Sequence, residues 1–440
     1  MMKTESAHIK SRLLIALLLA LFAAPAVLAQ EVADTIKIRT RVVFLDALVK
    51  DKRTGIPISD LKPENFELFD DGKPRTISYF NAEGQARKPL ALVLVLDVAD
   101  DGAGRFLKRD EVRAAIVDEL SKLPTGDEVA ILAINTNNID DKSAAIRNQT
   151  ALWLTDFTHD RAQIEKALAR IPALVAPPPK EVKNDPAKKD PNNPDRSGSV
   201  SINASTEAPL PADSTPKDDV LETETIKGKN GAIITRTIKK DGSTTIQRTS
   251  SNGKVNIVLD NFYDLAGATR DATHLAEEKR PNSQTAIVWV SDGIAPIFKE
   301  DVAATEQILI RQNAIFNSMN VDMKTLYKFL LPLGQPLIGW TGISLAGSAR
   351  HIAQQSGGES VHVSRVRDYG AGLAKLIGNL NARYSLGFTL AEDEKDDGRM
   401  HELSLRVKAA DAKGKQKRLE VSSRRGYYVP KTETADVIVK

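Results

Sequence analysis

The feature that most restricts the fold is an unbroken apolar run from Leu90 to Leu96, followed at once by Asp97. A strand that is covered on both faces has this pattern, because neither of its alternating rows of side chains meets water. Such strands build the parallel sheets of α/β proteins, in which ligands bind beyond the carboxyl ends of the strands. Asp100 and Asp101 add to the charge of the loop after this run. The sequence therefore predicts an α/β domain with an acidic loop at the ligand-binding edge of its sheet.

A second apolar run, from Thr285 to Val290, also ends in polar residues, Ser291, Asp292 and Gly293. If the two runs form buried strands of one sheet, Asp97 and Asp292 come together at the same edge. Carboxylate oxygens are suitable ligands for hard cations such as Mg²⁺, Ca²⁺ or Mn²⁺. We therefore expect that a divalent cation is the one cofactor this chain could bind.

Length and composition exclude several classes of function. A chain of 440 residues is long enough for two to four domains of roughly 100–200 residues. The net charge is +3, and residues 1–29 contribute +2 of it, so the remainder carries about +1 and offers no electrostatic case for nucleic-acid binding. The chain has no cysteine, which excludes disulfides, thiolate catalysis and zinc–sulfur sites.

Residues 1–29 have the pattern of a cleaved secretory signal peptide. Basic residues precede the apolar stretch from Leu13 to Ala24, Pro25 follows, and Val27 to Ala29 present compact residues at the cleavage position. A retained amphipathic anchor is the alternative. No later segment is long and apolar enough to span a bilayer, so we expect a periplasmic or secreted protein with no transmembrane segment in its mature chain.

Both flanks of the α/β pattern are rich in short strands. Residues 35–86 predict a small β-sandwich-like domain, and residues 383–430 predict a C-terminal β-rich segment. Asp71-Gly72 lies between two apolar runs and predicts a hairpin turn. Asp70 and Asp71 are accordingly interpreted as turn residues and not as metal ligands.

The α/β pattern extends over residues 89–382 and is interrupted by a low-complexity insertion at 174–254. Residues 176–229 are rich in Pro, Asp, Lys, Ser and Thr, and we expect them to be disordered or extended, because they contain too few apolar residues for a core. Two alternating runs on either side of Asp241-Gly242 predict a protruding hairpin at the end of the insertion.

Three separated blocks carry a resemblance to a known family. Asp97-Val-Ala-Asp-Asp and Ser291-Asp292-Gly293, with strands and helices alternating between them, are similar to a von Willebrand factor type A domain. The segments Ile58–Gly72 upstream and Arg424–Pro430 downstream resemble those of exported VWFA-related proteins of the acidobacterial type. The resemblance implies an α/β, doubly wound, mostly parallel, Rossmann-like sheet. It also implies that the β-rich flanks lie opposite the metal-binding edge, where they can pack on each other.

The resemblance further implies a metal-ion-dependent adhesion site. Asp97 and Asp292 match its first and last aspartates, while Asp101 and Asp260 stand where the family has a serine and a threonine. Ala99 replaces a second loop serine, so one direct ligand is missing and a degenerate site kept as scaffold is an open alternative. Thr158 is a less favoured candidate for the threonine position.

The main functional hypothesis is an exported, non-enzymatic protein-binding module for adhesion or assembly, with a protein partner and with or without a divalent cation. One alternative is a hydrolase that uses Asp97, Asp101 and Asp292 as a Mg²⁺ site. Another is a purely structural scaffold without metal. The Gly342–Ala346 stretch lacks the second glycine of a nucleophile elbow, and the histidines show no metalloprotease spacing, so the sequence favours the non-enzymatic hypothesis.

Overall fold

The computed structural model describes most of the chain between residues 41 and 429. The described ranges are 41–81, 88–99, 103–136, 151–175, 199–204, 220–240, 244–253, 255–260, 263–292, 294–321, 343–346, 348–410 and 413–429. In parts of several strands, including residues 199–204 and 259–260, the backbone alone is described. The expected signal peptide at 1–29 and much of the expected disordered segment, 176–198 and 205–219, lie outside the described residues.

Strands and helices alternate through the described ranges. The N-terminal strands are β1 (Val42–Asp51), β2 (Phe66–Asp70), β3 (Lys73–Arg75) and β4 (Tyr79–Asn81). The next strands are β5 (Leu90–Asp97), β6 (Glu128–Ile134), β7 (Ala151–Thr158), β8 (Ser199–Ala204), β9 (Val220–Lys227), β10 (Ile233–Lys239), β11 (Thr244–Thr249) and β12 (Val255–Asp260). The last are β13 (Gln284–Ser291), β14 (Ile294–Phe298), β15 (Ile315–Val321), β16 (Ile343–Ala346), β17 (Ser360–Val363), β18 (Tyr384–Thr389), β19 (His401–Val407), β20 (Leu419–Ser423) and β21 (Gly426–Tyr427).

The α-helices lie between the strands of the central part of the chain. They are α1 (Gly104–Leu107), α2 (Asp110–Leu120), α3 (Arg161–Ala169), α4 (Ile171–Leu174), α5 (Leu265–Lys279), α6 (Lys299–Arg311), α7 (Ser348–Ser356) and α8 (Tyr369–Asn381). Among the described residues, none of these helices has the length and apolar character needed to cross a membrane.

A six-stranded central sheet has the order β17-β15-β13-β5-β6-β7. All neighbours are parallel except β6 and β7, which are antiparallel. The predicted α/β fold with a mostly parallel central sheet and antiparallel sheets beside it is therefore confirmed. The chain passes from β5 to β6 on one side, whereas β13, β15 and β17 follow on the other side of β5. The direction of winding thus changes between β5 and β13.

Helices cover both faces of the central sheet, and β5 shows why its apolar run is continuous. Leu92 and Leu94 belong to the core under α2, α3 and α8. Val93 and Val95 belong to the core on the opposite face, with Trp289 and residues of α5 and α7. All eight residues of β5 are buried, as expected for a strand packed on both faces.

An inserted sheet with five strands in the order β8-β12-β11-β10-β9 lies between α4 and α5 in sequence. The predicted hairpin around residues 241 and 242 is confirmed, since β10 pairs with β11. The larger antiparallel sheet was not predicted, and β9 lies within the segment expected to be disordered or extended. Ile234, Ile246 and Ile257 of this sheet form a small core with Phe298.

The two β-rich flanks form one sandwich and not two separate units. Its sheets have the orders β20-β1-β18-β4 and β21-β19-β2-β3, so each sheet combines strands from both flanks: they alternate in the first, and β19 pairs with β2 in the second. Tyr384, at the start of β18, is fully buried; its hydroxyl donates to the Ile58 carbonyl at 2.7 Å and accepts from the Leu61 N–H at 3.0 Å. The expectation that the flanks pack on each other is confirmed.

Buried arginines attach the sandwich to the amino edge of the central sheet. Arg424 donates to the carbonyls of Ile310, at 3.0 Å, and of Phe44, and burial lowers its pKa to about 10. Arg383 donates to the Gly357 carbonyl at 2.7 Å. Because Ile310 and Gly357 precede β15 and β17, these contacts place the flanks opposite the carboxyl edge, as predicted.

Candidate functional site

Asp97 lies at the carboxyl end of β5, directly beside the point where the sheet changes its winding direction. Its side chain is 7% exposed. Oδ1 accepts hydrogen bonds from the Ala99 N–H at 3.2 Å and from the Asn135 carboxamide at 3.1 Å. In open α/β sheets a ligand crevice forms beyond the strand ends at such a switch point.

Ser291 ends the neighbouring strand β13 and Asp292 directly follows it, so Asp97 and Asp292 lie at the same edge of the sheet. The buried Ser291 hydroxyl lies 3.5 Å from Asp97 Oδ2 and 3.3 Å from Asp292 Oδ1. A hydroxyl carries a single hydrogen and can donate to only one of these two carboxylates at a time. The Ser291 hydroxyl is thus close enough to donate to either carboxylate.

Asn135 is a part of the site that the sequence interpretation missed. It directly follows β6, whose last residue, Ile134, pairs with Asp97, and its φ of 56° lies in the left-handed region that asparagine tolerates. Its side chain donates to Asp97 and accepts from the Tyr263 N–H at 3.2 Å. The signal that would have found it is a polar residue placed directly after an apolar run.

The other residues that the sequence analysis considered for the site do not join Asp97 in the described structure. Asp101 lies outside the described residues. The backbone of Asp260 ends β12, opposite Thr245, whereas its side chain is not among those described. Thr158 pairs with Val129 at the amino end of β6. This less favoured candidate for the threonine position therefore lies at the edge of the sheet opposite Asp97 and is not part of the site.

The inserted sheet is fixed beside the carboxyl edge by a buried arginine. Arg236 of β10 binds Asp264, the N-cap of α5, at 2.6 Å, and makes two contacts with Asp301 in the first turn of α6. Burial raises the pKa of Asp301 to about 6, and the Arg236 guanidinium opposes that rise. Arg248 adds a second two-pronged contact, to Glu300. Paired Arg–carboxylate contacts of this kind fix orientation as well as distance.

The inserted sheet and the Asp97 region are linked through Tyr263. This residue precedes the Asp264 cap, donates its backbone N–H to Asn135 and donates its hydroxyl to Asp271 in α5. Burial raises the pKa of Asp271 to about 7, with a further contribution from the negative charge of Glu222. The position of the inserted sheet is therefore coupled to the edge of the central sheet by direct contacts.

The donor atoms at the edge are of one chemical type. Carboxylate oxygens are offered by Asp97 and Asp292, and a hydroxyl oxygen by Ser291. Mg²⁺, Ca²⁺ and Mn²⁺ are bound well by oxygen ligands of these two types. These residues fit the hard cation that the sequence predicts, and they would hold it through Asp97 and Asp292.

A second acidic group lies at the predicted turn in the sandwich. Asp70, Asp71 and His401 place ligand-type atoms within 4.8 Å of one another, a composition that could hold a metal ion. Arg75 binds Asp70 at 2.7 Å and Arg399 binds Asp71 at 2.9 Å. Burial raises the pKa of Asp71, but the Glu402 N–H and Arg399 more than offset this and hold it below its ordinary value. Because each of the two carboxylates forms an ion pair with an arginine, these contacts favour a structural role for the turn.

Comparisons with known proteins identify similar folds at low similarity. No family model matches the sequence, and no curated protein matches it. The solved structures that are similar include the SpRpn10 VWA domain, at 7% identity and a TM-score of 0.31, covering 66% of this chain and 94% of that one. They also include human COPII-coat protein Sec24c, at 9% identity and a TM-score of 0.31, covering 78% of this chain and 44% of that one.

The pilus adhesin SpaC from Lactobacillus rhamnosus GG is similar in the same way, at 7% identity and a TM-score of 0.33, covering 85% of this chain and 48% of that one. The chain thus spans just under half the length of Sec24c and of SpaC. Likenesses at this level carry no argument about function, which has to rest on the geometry of the site.

Proposed function

We propose that the protein is an exported, non-enzymatic binding module that engages a protein partner at the carboxyl edge of its central sheet, with a divalent cation held by Asp97 and Asp292. The observation that carries the proposal is the position of these two carboxylates. Asp97 ends β5 and Asp292 directly follows the neighbouring β13 at the switch point, and the Ser291 hydroxyl lies within 3.5 Å of both.

The chemistry favours binding over catalysis. The groups that contact Asp97 in the described part of this edge include a carboxamide, a backbone N–H and a hydroxyl, which orient its carboxylate. Oriented carboxylate and hydroxyl oxygens suit cation binding. A bound cation would supply positive charge at the crevice. The export part of the proposal rests on the signal pattern of residues 1–29.

Thermal melting tests the cation. Excess Mg²⁺, Ca²⁺ or Mn²⁺ is expected to raise the melting temperature relative to chelator, since an ion at one hundred times its Kd stabilises the fold by about 2.7 kcal/mol. Asp97→Asn keeps the shape of the side chain and its acceptor oxygen but removes the charge, so the ion-dependent shift is expected to disappear. The matched control is Asp393→Asn at an exposed position of the sandwich. No shift with any of the three ions would contradict the cation.

Capture of a partner from the envelope fraction tests the binding role. Wild-type protein is expected to retain a partner that is lost with chelator and lost in Asp97→Asn, while Asp393→Asn retains it. Unchanged capture under both conditions would support the purely structural alternative for this edge. Mg²⁺-dependent hydrolysis of a phosphate ester that Asp97→Asn abolishes would support the hydrolase alternative and overturn the non-enzymatic proposal.

A further inference from the structure

A polar cleft of about 590 Å³ lies where the central sheet meets the sandwich, on the side of the molecule away from Asp97. Two edge strands border it: β17 ends the order of the central sheet, and β20 ends the order of one sandwich sheet. Helices α7 and α8 form its walls through Arg350 and Lys375. An edge strand presents a row of backbone N–H and C=O groups to whatever lies beside it.

The cleft has an excess of positive charge. Lys50, Arg350, Lys375 and Arg425 line it together with two acids, Glu359 and Glu420. Both acids form ion pairs with Lys50, which is the buried cation among these residues. Lys50 contacts Glu359 directly and lies 3.8 Å from Glu420.

The remaining three cations have no acidic partner. Within the described part of the chain, no ion pair involves Arg350, Lys375 or Arg425, and all three are exposed towards solvent. Arginines elsewhere, such as Arg236 and Arg248, have direct carboxylate partners. Three like charges converging on one cleft repel one another, and an anionic occupant would relieve that repulsion.

The cleft also contains apolar and hydroxyl groups in alternation. Half-buried Val361, Leu405 and Val421 line it, next to Ser360 and Ser422. A peptide added to a sheet edge alternates its side chains between two sides, so one row can meet the cations while the other meets these apolar groups.

We propose that this cleft binds an acidic, extended peptide segment of a partner protein, which pairs with one of the two edge strands and neutralises Arg350, Lys375 and Arg425. The site is separate from the carboxyl edge and does not depend on a cation. The shape and charge of the cleft together favour a peptide over a free small anion.

Fluorescence anisotropy of the full chain with a labelled synthetic peptide of alternating Glu and Val tests the proposal. Wild-type protein is expected to bind the peptide, and Arg350→Glu/Lys375→Glu is expected to weaken binding at least tenfold. The matched control, Arg161→Glu/Lys166→Glu, makes the same exchange of charge at exposed positions of α3 and is expected to stay within twofold of wild type. Asp97→Asn is expected to bind as wild type, which separates this site from the carboxyl edge.

Two competitors identify what the cleft recognises. The same Glu–Val peptide methylated at every backbone nitrogen keeps its charge and side chains but cannot donate a backbone hydrogen bond, so it is expected to compete at least tenfold more weakly. Equal competition by this peptide, or displacement by inorganic phosphate alone, would overturn edge-strand pairing. Absence of binding by wild type, or equal weakening in the control variant, would overturn the site itself.

Discussion

At the residue scale, Asn135 connects the two parts of the candidate site. It donates to Asp97 and accepts from the Tyr263 backbone, and Tyr263 in turn donates to Asp271. Asn135 could have been suspected from its place directly after the apolar run 129–134. Its contact with Tyr263 could not, because 128 positions separate the two residues and no local pattern records such a pairing.

Asp271 predicts a pH dependence of stability. Burial and the charge of Glu222 raise its pKa from 3.8 to about 7, against the effect of Arg236. Between these pH values the folded protein holds a proton that the unfolded chain has released. The free energy of unfolding therefore falls as pH rises through this window, and the effect of Asp271 is complete above the folded pKa.

Denaturant unfolding at roughly pH 5 and pH 8 checks this prediction. Asp271→Asn cannot release a proton, so its loss of stability between the two conditions is expected to be smaller than that of wild type. The Tyr263 hydroxyl and Arg270 also contact Asp271 and are present in both proteins. Asp393→Asn serves as the control, and a pH difference in Asp271→Asn equal to that of wild type would show that Asp271 is not the titrating group.

At the element scale, the turn between α7 and β17 decides how the sandwich is held. Gly357 has a φ of 81°, and a Cβ placed on it would lie 2.5 Å from the Arg424 backbone nitrogen. The same turn provides the carbonyl that Arg383 binds. A glycine before a strand indicates a turn from sequence alone, but the close approach of a segment 67 positions later is visible only in the folded chain.

Gly357→Ala is expected to destabilise the protein. The left-handed conformation alone costs about 1–3 kcal/mol for a residue with a Cβ, and the contact with Arg424 adds to that cost. Gly378→Ala in α8 is the matched control: no atom lies within 4 Å of its added Cβ, so a gain of about 0.5–1 kcal/mol is expected. Denaturant unfolding measures both, and equal effects of the two substitutions would contradict the strained turn.

At the scale of the whole molecule, the sandwich is built from both ends of the chain. β1 pairs with β18 and β20, and β2 pairs with β19, while within the N-terminal flank β2 pairs only with the three-residue strand β3. The prediction of an N-terminal sandwich at 35–86 identified the strands but not their partners. The α/β part is therefore inserted in sequence between the two halves of one sandwich.

A fragment of residues 41–88 is expected to remain unfolded. Without β18 to β21 it keeps the β2–β3 hairpin and the isolated Lys50–Pro57 bridge, and an isolated two-stranded hairpin is marginal in water. Circular dichroism during heating is expected to show no cooperative transition for the fragment and a cooperative one for the full chain. A sharp transition in the fragment would instead establish the N-terminal flank as an independent domain.

The sequence by itself determined that the runs at 90–96 and 285–290 are buried strands and that the acids after them lie at one edge. The run from Leu90 to Leu96 required cover on both faces, and Asp97 and Asp292 follow two such runs, so their meeting could be predicted from periodicity and parallel winding alone. Tertiary structure alone decided the shared sandwich, the docking of the inserted sheet through Arg236 and the basic cleft beside Lys375. The physical reason is that side-chain periodicity records that a face is buried but not what buries it. Partners distant in sequence are selected only when the whole chain packs.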